Sequence, residues 1–173
     1  MARSDESFDV EQEETSDDDA PAQDAVSLLS ADHAEVKQLF ETYRQLVDEN
    51  ADDEQRGELA RRICSMLTVH AEIEEEIFYP AMRENVDDEL TLDEAEVEHA
   101  SAKELIEQLE GMDPGDALYD AKVIVLGEYV DHHVQEEENE LFPQAEKAGL
   151  DLDDLGAELA SRKRELMSTL ADE

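Results

Sequence analysis

Four histidines, His33, His70, His99 and His133, each fall inside the apolar stripe of a different predicted helix. An imidazole on an apolar face is commonly a satisfied core residue, and one alone decides nothing. Four of them, one per helix, restrict the fold to those that bring four helix interiors to a common point.

The stripes are read from spacing. Val26, Leu29, His33, Val36, Phe40, Tyr43 and Val47 recur at alternating steps of three and four, one face of a helix. A second stripe holds Leu59, Ile63, Met66, Leu67, His70, Glu74, Ile77 and Phe78. A third holds Leu92, Ala95, His99, Ala102, Ile106 and Leu109. A fourth holds Tyr119, Val123, Leu126, Val130, His133, Glu137 and Leu141, and Gly149 stops it. Polar breaks at 50–53 and 84–88, and the Gly111-Met112-Asp113-Pro114-Gly115 turn, separate them. The spacing predicts an all-α, up-down-up-down four-helix bundle over residues 25–149. A further helix over about 153–170, within a C-terminal segment 150–173, is expected to pack along the outside or across one end. Residues 1–24 are polar and acidic, and disorder is expected there because little apolar surface offsets ordering entropy.

Axial height follows from the turns. Residues of an antiparallel hairpin lie level when the turn is midway between them. The midpoint of His33 and His70 falls at Ala51–Asp52, that of His70 and His99 near Asn85, and that of His99 and His133 at Asp116. Each midpoint lies in or at the edge of a predicted turn. At about 1.5 Å rise per residue, the four imidazoles share one level within a few ångströms.

Two of the histidines carry a glutamate four residues on: His70 with Glu74, and His133 with Glu137. That spacing stacks both side chains on one helix face. A carboxylate on a core stripe is costly unless a cation or strong donor meets it. Without metal, two such carboxylates meet in a low-dielectric core. There one is expected to protonate, or both to draw in water, with the nearby imidazoles able to share protons.

The chain also repeats itself. His70-Ala71-Glu72-Ile73-Glu74-Glu75-Glu76-Ile77-Phe78-Tyr79-Pro80 parallels His133-Val134-Gln135-Glu136-Glu137-Glu138-Asn139-Glu140-Leu141-Phe142-Pro143. Asp32-His33 followed by Lys37 parallels Glu98-His99 followed by Lys103. The two helix pairs therefore read as duplicates, each giving two His and one Glu to a pseudo-two-fold site. The alignment selects His133 over His132, which lies about 100° away on the helix and belongs at the surface or behind a ligand. Four imidazoles and two carboxylates suit a pair of borderline metals, with both Glu placed to bridge. A single tetrahedral zinc would leave ligands over.

At these residues the sequence resembles the hemerythrin family, in particular bacterial and archaeal HHE cation-binding domains. The resemblance runs from about Ala25 to Gly149. It implies a non-haem di-iron centre with His33 and His70 on one iron, His99 and His133 on the other. Glu74 and Glu137, with a bridging oxo or hydroxo group, would join them. It implies a protein that binds or senses dioxygen or a related redox ligand such as peroxide or nitric oxide. An enzyme removing peroxide or nitric oxide, and an iron-handling or storage protein, would use the same iron ligands. A metal-free acidic interaction bundle leaves six polar core residues unexplained. Oxygen-carrying members have a fifth His one turn after the third-helix His. Here Lys103 stands there, which argues against a pure oxygen carrier. Surface salt bridges are the default reading of Lys37 and Lys103, and pairing with Glu75 or Glu138 the alternative. Ferritin-like bundles carry two Glu-x-x-His motifs, and among the stripe histidines only Glu96 and His99 match that order.

Charge bounds the partners. Fifty-one acidic residues against 13 basic ones give a formal net charge of −38. Residues 1–24 hold ten acids and one Arg, so about −29 stays on the rest. Such a surface repels nucleic acid and anionic membranes. Excess acid with only five Lys resembles the proteins of salt-accumulating cells, where ionic strength screens self-repulsion. No apolar run reaches the roughly 20 residues needed to cross a bilayer. The acidic N-terminus is unlike a signal peptide, so a cytoplasmic protein is expected, with any protein partner unidentified. The single Cys64, among Ile63, Met66 and Leu67, is expected to be a small core residue.

Overall fold

The computed structural model describes residues 22–172; the acidic tail expected over 1–24 lies almost wholly outside them. Seven α-helices follow one another: α1 (Ala25–Asp48), α2 (Asp53–Ile73), α3 (Tyr79–Asn85), α4 (Glu89–Glu110), α5 (Tyr119–Glu136), α6 (Phe142–Lys147) and α7 (Leu152–Ala171). A π-helical turn, Glu74–Phe78, joins α2 to α3, and a second, Glu137–Leu141, joins α5 to α6. Each joined pair forms one long helix of the bundle.

Four helix starts are fixed by aspartate. The side chains of Asp24, Asp52, Asp88 and Asp151 accept from the amides of Ser27, Gln55, Thr91 and Asp154. Each satisfies an amide that the first turn leaves without a partner. α5 starts differently, after Leu118 in the left-handed region (φ 71°). Gly149 takes φ +73° between α6 and α7, a conformation that glycine adopts without Cβ strain.

The two π turns have a local cause. Pro80 and Pro143 lack an amide, and in an α-turn their rings would collide with the carbonyl four residues back. Widening the preceding turn by one residue relieves both problems. The amides of Tyr79 and Phe142 accordingly donate to the carbonyls of Glu74 and Glu137, five residues earlier. The sequence predicts one helix running on through each proline, and the structure adds the wide turns.

α1 packs on α2, α2 on α4, α4 on α5, and α5 back on α1, closing a four-cornered bundle. The bundle with its extra C-terminal helix is the architecture that the spacing predicts. α7 lies against α1, α2 and the first π turn, which decides for the outside of the bundle. Its Gly156 meets the backbone of residues 23–25 closely enough that a Cβ would sit 2.3 Å from the Gln23 carbonyl oxygen.

The core is divided. One apolar cluster holds Leu29, Phe78, Tyr79, Met82, Leu92, Phe142 and Leu159. The other holds Val36, Tyr43, Ile63, Leu67, Ile106, Val123 and Leu126. Cys64 belongs to the second and is buried, with its thiol pushed up to about 12 by burial and by Glu110. Between the clusters lies a layer of polar side chains: the buried His33, Glu74, His99, His133 and Glu137 with the nearly buried His70, and the buried Asp32 behind them. Among the described residues, no helix is long and apolar enough to cross a membrane.

Candidate metal centre

The polar layer draws one side chain from each of six places. α1 gives His33, α2 His70, the first π turn Glu74, α4 His99, α5 His133 and the second π turn Glu137. The structure brings all six together. His33 and His70 approach through their Nε2 atoms at 3.1 Å, and His99 and His133 through theirs at 3.0 Å. Glu74 lies between the pairs, with Oε1 2.9 Å from His70 Nε2 and Oε2 3.1 Å from His99 Nε2. Glu137 does the same in the opposite sense. Its Oε2 is 3.1 Å from His33 Nε2 and its Oε1 3.4 Å from His133 Nε2. Each carboxylate thus offers one oxygen to each imidazole pair. His132 points away, 68% exposed, near Glu98 and Glu136.

A further ring of carboxylates fixes the imidazoles from behind. His70 Nδ1 lies 3.2 Å from Asp32, and His133 Nδ1 lies 2.6 Å from Glu98. His33 Nδ1 lies 3.0 Å from Glu138, and His99 Nδ1 lies 2.9 Å from Glu75. A carboxylate on Nδ1 favours the Nδ1–H tautomer and leaves the Nε2 lone pair for the centre. The pattern obeys the repeat. The acid preceding each first histidine holds the second histidine of its own half. The acid following each inward Glu holds the first histidine of the other half. These four residues stand in both repeats of the sequence, beside ligand-type positions, and that adjacency was the signal available for them.

The lysines divide. Lys103 pairs with both oxygens of Glu75, at 2.8 and 2.6 Å, so its salt bridge continues to His99. It is therefore more than an isolated surface pair. Among the described residues Lys37 makes no such pair with Glu138, which instead faces His33. Lys163 of α7 joins Asp32, a contact that no motif announced.

Burial and charge set the protonation of this layer. Burial would raise the carboxyl of Glu74, but the imidazoles of His70, His133 and His99 hold it well below the usual range. Burial and the neighbouring Glu74 push Glu137 up, and His133 and His33 outweigh them, leaving it lowered. The same contacts act on the imidazoles. Burial opposes charge on His70, yet Glu74 and Asp32 raise it to about 10. Burial likewise opposes charge on His133, and Glu137, Glu74 and Glu98 raise it to about 12. Without metal, these contacts favour a proton on His70 and His133 and the ionised form of Glu74 and Glu137.

A seventh group enters the layer. The Tyr79 hydroxyl donates to Glu137 Oε1 at 2.5 Å and stands 3.3 Å from Glu74 Oε2. It is also 3.3 Å from His99 Nε2 and 3.4 Å from His133 Nε2. Burial and the two carboxylates raise its pKa well above the ordinary phenol value. Sequence reading passed over it, because five residues separate it from Glu74 and an α-helix would turn it off that face. The π turn restores it.

The residues fit a pair of cations by the state of their oxygens. Glu74 Oε1 and Glu137 Oε2 are buried and have no hydrogen-bond partner. His70 and His33 Nε2 lie close to them but out of line for a hydrogen bond. Donors that crowd without pairing suit a shared cation. His33, His70, Glu74 and Glu137 form one such group, and Glu74, His99 and His133 another.

The model of the hemerythrin HHE cation-binding domain matches residues 24–145. The chain belongs to this family. A hemerythrin HHE cation-binding domain-containing protein from Mycobacterium kansasii, known from its crystal structure, superposes with a TM-score of 0.70 at 20% identity. The match covers 85% of this chain and 89% of that one, and at such identity it speaks for the fold. A Nostoc protein named DNA nickase is 32% identical over 115 residues, 66% of this chain. The chain spans 31% of that protein's length. The HHE family binds cations, and the family expected from the histidine and glutamate motifs is the one found.

Proposed function

We propose that this HHE protein holds two irons in the polar layer and there binds or senses dioxygen or a related redox ligand, peroxide or nitric oxide. The observation that carries the reading is the split of each buried carboxylate between two imidazole pairs. His33 and His70 would hold one ion, His99 and His133 the other, and Glu74 and Glu137 both. Iron bound there would supply redox chemistry and a place for a small ligand. The chain's own residues do the rest. Asp32, Glu75, Glu98 and Glu138 orient the four rings. The two glutamates offset the charge of the ions.

Room for a small ligand exists beside the rings. A cavity of about 40 Å³ abuts the four imidazoles, walled by Val36, Leu67, Ala102, Ile106, Val130 and Val134. A water needs on the order of 10–15 Å³ of such space. The cavity therefore has room for a diatomic or a peroxide, and its wall is largely aliphatic. DNA cleavage, the activity in the Nostoc relative's name, has less behind it. The matched segment is under a third of that protein, and a net charge of −38 opposes a polyanion.

The test is anaerobic purification with iron analysis, then spectra on adding oxygen, peroxide and nitric oxide separately. Two irons per chain and a reversible spectral change are expected. Steady consumption of peroxide or nitric oxide would move the reading to an enzyme. Iron released on reduction, with no response to any ligand, would move it to iron handling.

A further inference from the structure

We propose that His132, Glu136 and Glu98 form an outer metal site for a borderline divalent ion such as zinc, and that Glu98 couples this site to the centre. The outer site stands on its own geometry; the coupling rests on the di-iron reading above.

Spacing carries the site. His132 and Glu136 stand one turn apart on α5, and Glu98 faces them from α4. His132 Nε2 lies 3.4 Å from Glu98 Oε1 and 3.3 Å from Glu136 Oε1. The three donor atoms all lie within 4.8 Å of one another. With bonds of about 2.1 Å, donors on a tetrahedron stand roughly 3.4 Å apart. Hydrogen bonds from nitrogen to oxygen are shorter, about 2.9–3.0 Å. The imidazole thus keeps the separation of a fellow ligand from both carboxylates. Among the described residues, no Lys or Arg nitrogen comes within 4.0 Å of either carboxylate, and the basic groups beside them are His132 and His133. One imidazole and two carboxylates suit zinc, whereas magnesium and calcium take oxygen donors. A cleft of about 270 Å³ beside His132, along Val97, Ser101 and Tyr129, leaves the fourth position to water.

The repeat supplies an internal control. The corresponding places in the first half hold Val69, Ile73 and Asp32. Val69 and Ile73 are buried, and Asp32 meets Lys163 of α7, the helix that packs on that half. In the second half, two ligand-type side chains replace the two aliphatic ones, and His132 is 68% exposed. Coupling follows from the two oxygens of Glu98. Oε2 lies 2.6 Å from His133 Nδ1, while Oε1 faces His132. A cation on Oε1 draws charge from the carboxylate and weakens its hold on the His133 N–H. The ring then gives less electron density to an ion at its Nε2.

The experiment titrates zinc into the iron-loaded full chain by calorimetry at about 1 M salt, where diffuse attraction to the acidic surface is screened. His132→Ala, Glu136→Ala and Glu128→Ala are titrated alike. Glu128 is an exposed acid elsewhere on α5 and serves as the control. Iron per chain is measured before and after, and the visible absorption of the iron is followed throughout. The native chain and Glu128→Ala are expected to bind one zinc beyond their iron, undisturbed by excess magnesium, with a shift of the iron band. His132→Ala and Glu136→Ala are expected to keep their iron and to lose both the zinc and the shift. Zinc binding that survives in both of these variants, that Glu128→Ala also loses, or that proceeds only by displacing iron overturns the outer site. Full zinc binding with an unmoved iron band overturns the coupling and leaves the site standing. A native chain that takes up no iron fails the di-iron reading and the coupling with it. The difference of one zinc between that chain and His132→Ala then decides the outer site.

Discussion

Glu98 Oε2 lies 2.6 Å from Nδ1 of His133, and 66 residues earlier Asp32 faces His70 in the same way. Each carboxylate precedes the first histidine of its half and orients the second. Because Nδ1 is engaged, the ring presents Nε2 to the centre with little freedom to turn. Partners of this kind typically change metal affinity by about 10–100-fold when removed. Glu98→Ala and Asp32→Ala should each weaken iron binding by that order, read by competition with a chelator. Lys163→Met should do less, because it touches Asp32 and no imidazole. Unchanged affinity in both carboxylate variants would mean that the rings hold their orientation without them.

The metal-free and loaded proteins should respond to pH in opposite senses. Metal-free, His70 and His133 are raised to about 10 and about 12. A raised imidazole stabilises the fold fully below its unfolded value of about 6.5, and the contribution fades as pH climbs through the folded values. Glu74 and Glu137 are lowered, so their contribution is full above about 4.5 and fades as pH falls through their folded values. The empty core is therefore best held between about 4.5 and 6.5. Bound metal needs neutral imidazole, so its share of stability grows as pH rises. The gap in melting temperature between loaded and metal-free samples should widen from pH 6 to pH 9. The surface titrates alike in both, so the gap reports the core. A gap that narrows over that range would contradict the protonation described here.

Gly156 lets α7 lie against the start of α1. A methyl group there would meet the backbone of residues 23–25 at 2.3–2.8 Å, and backbone cannot swing aside. Gly156→Ala should cost about 1–3 kcal/mol, the usual range for overpacking. It should also loosen the Lys163–Asp32 contact on the same helix. Chemical denaturation gives the first quantity, and hydrogen exchange over Leu152–Ala171 reports the second. Native stability in the variant would show that α7 shifts freely.

The bundle was legible because its signals are local and redundant. Four stripes, three turns and one repeat agree, and the histidine heights follow from counting. The inward set was legible for the same reason: an acid one turn from a histidine on an apolar face has few places to go. Tyr79 was hidden because its place depends on a π turn, which changes the angular step that stripe reading assumes. Pro80 and Pro143 hinted at such a turn without giving its width. Lys163 was hidden because a contact across 131 residues depends on how α7 docks, which no period encodes. Lys37 and Lys103 match in sequence but not in partner, so the repeat overstates the symmetry of the outer layer.

Salt should stabilise the fold. About −29 of net charge lies outside residues 1–24, and like charges repel across the surface. The screening length falls from about 10 Å at 0.1 M to about 3 Å at 1 M. The melting temperature should rise over that range in metal-free and loaded samples alike. No rise in either would remove the reading of this surface as one suited to high salt.

Glu74 and Glu72 provide the most direct comparison for the centre. They stand two residues apart, Glu72 in the last turn of α2 and Glu74 at the start of the π turn. Glu74 is fully buried, with an oxygen toward each imidazole pair. Glu72 is 41% exposed, near Arg162 of α7. Truncating Glu74 removes one donor from each ion at once. It also leaves His70 without the carboxylate that favours its charge when metal is absent. Breaking one partner of a buried pair costs about 3–5 kcal/mol; here deprotonation of His70 can lessen the loss. Glu74→Ala should therefore bind less iron than the native chain and melt lower when metal-free. Glu72→Ala should match the native chain in both, since surface pairs contribute about 0–1 kcal/mol. Iron per chain by elemental analysis decides the first point, with circular dichroism to show that both variants fold. Equal and full loading of the two would mean that Glu74 bridges nothing, and the shared-carboxylate arrangement would have to be given up.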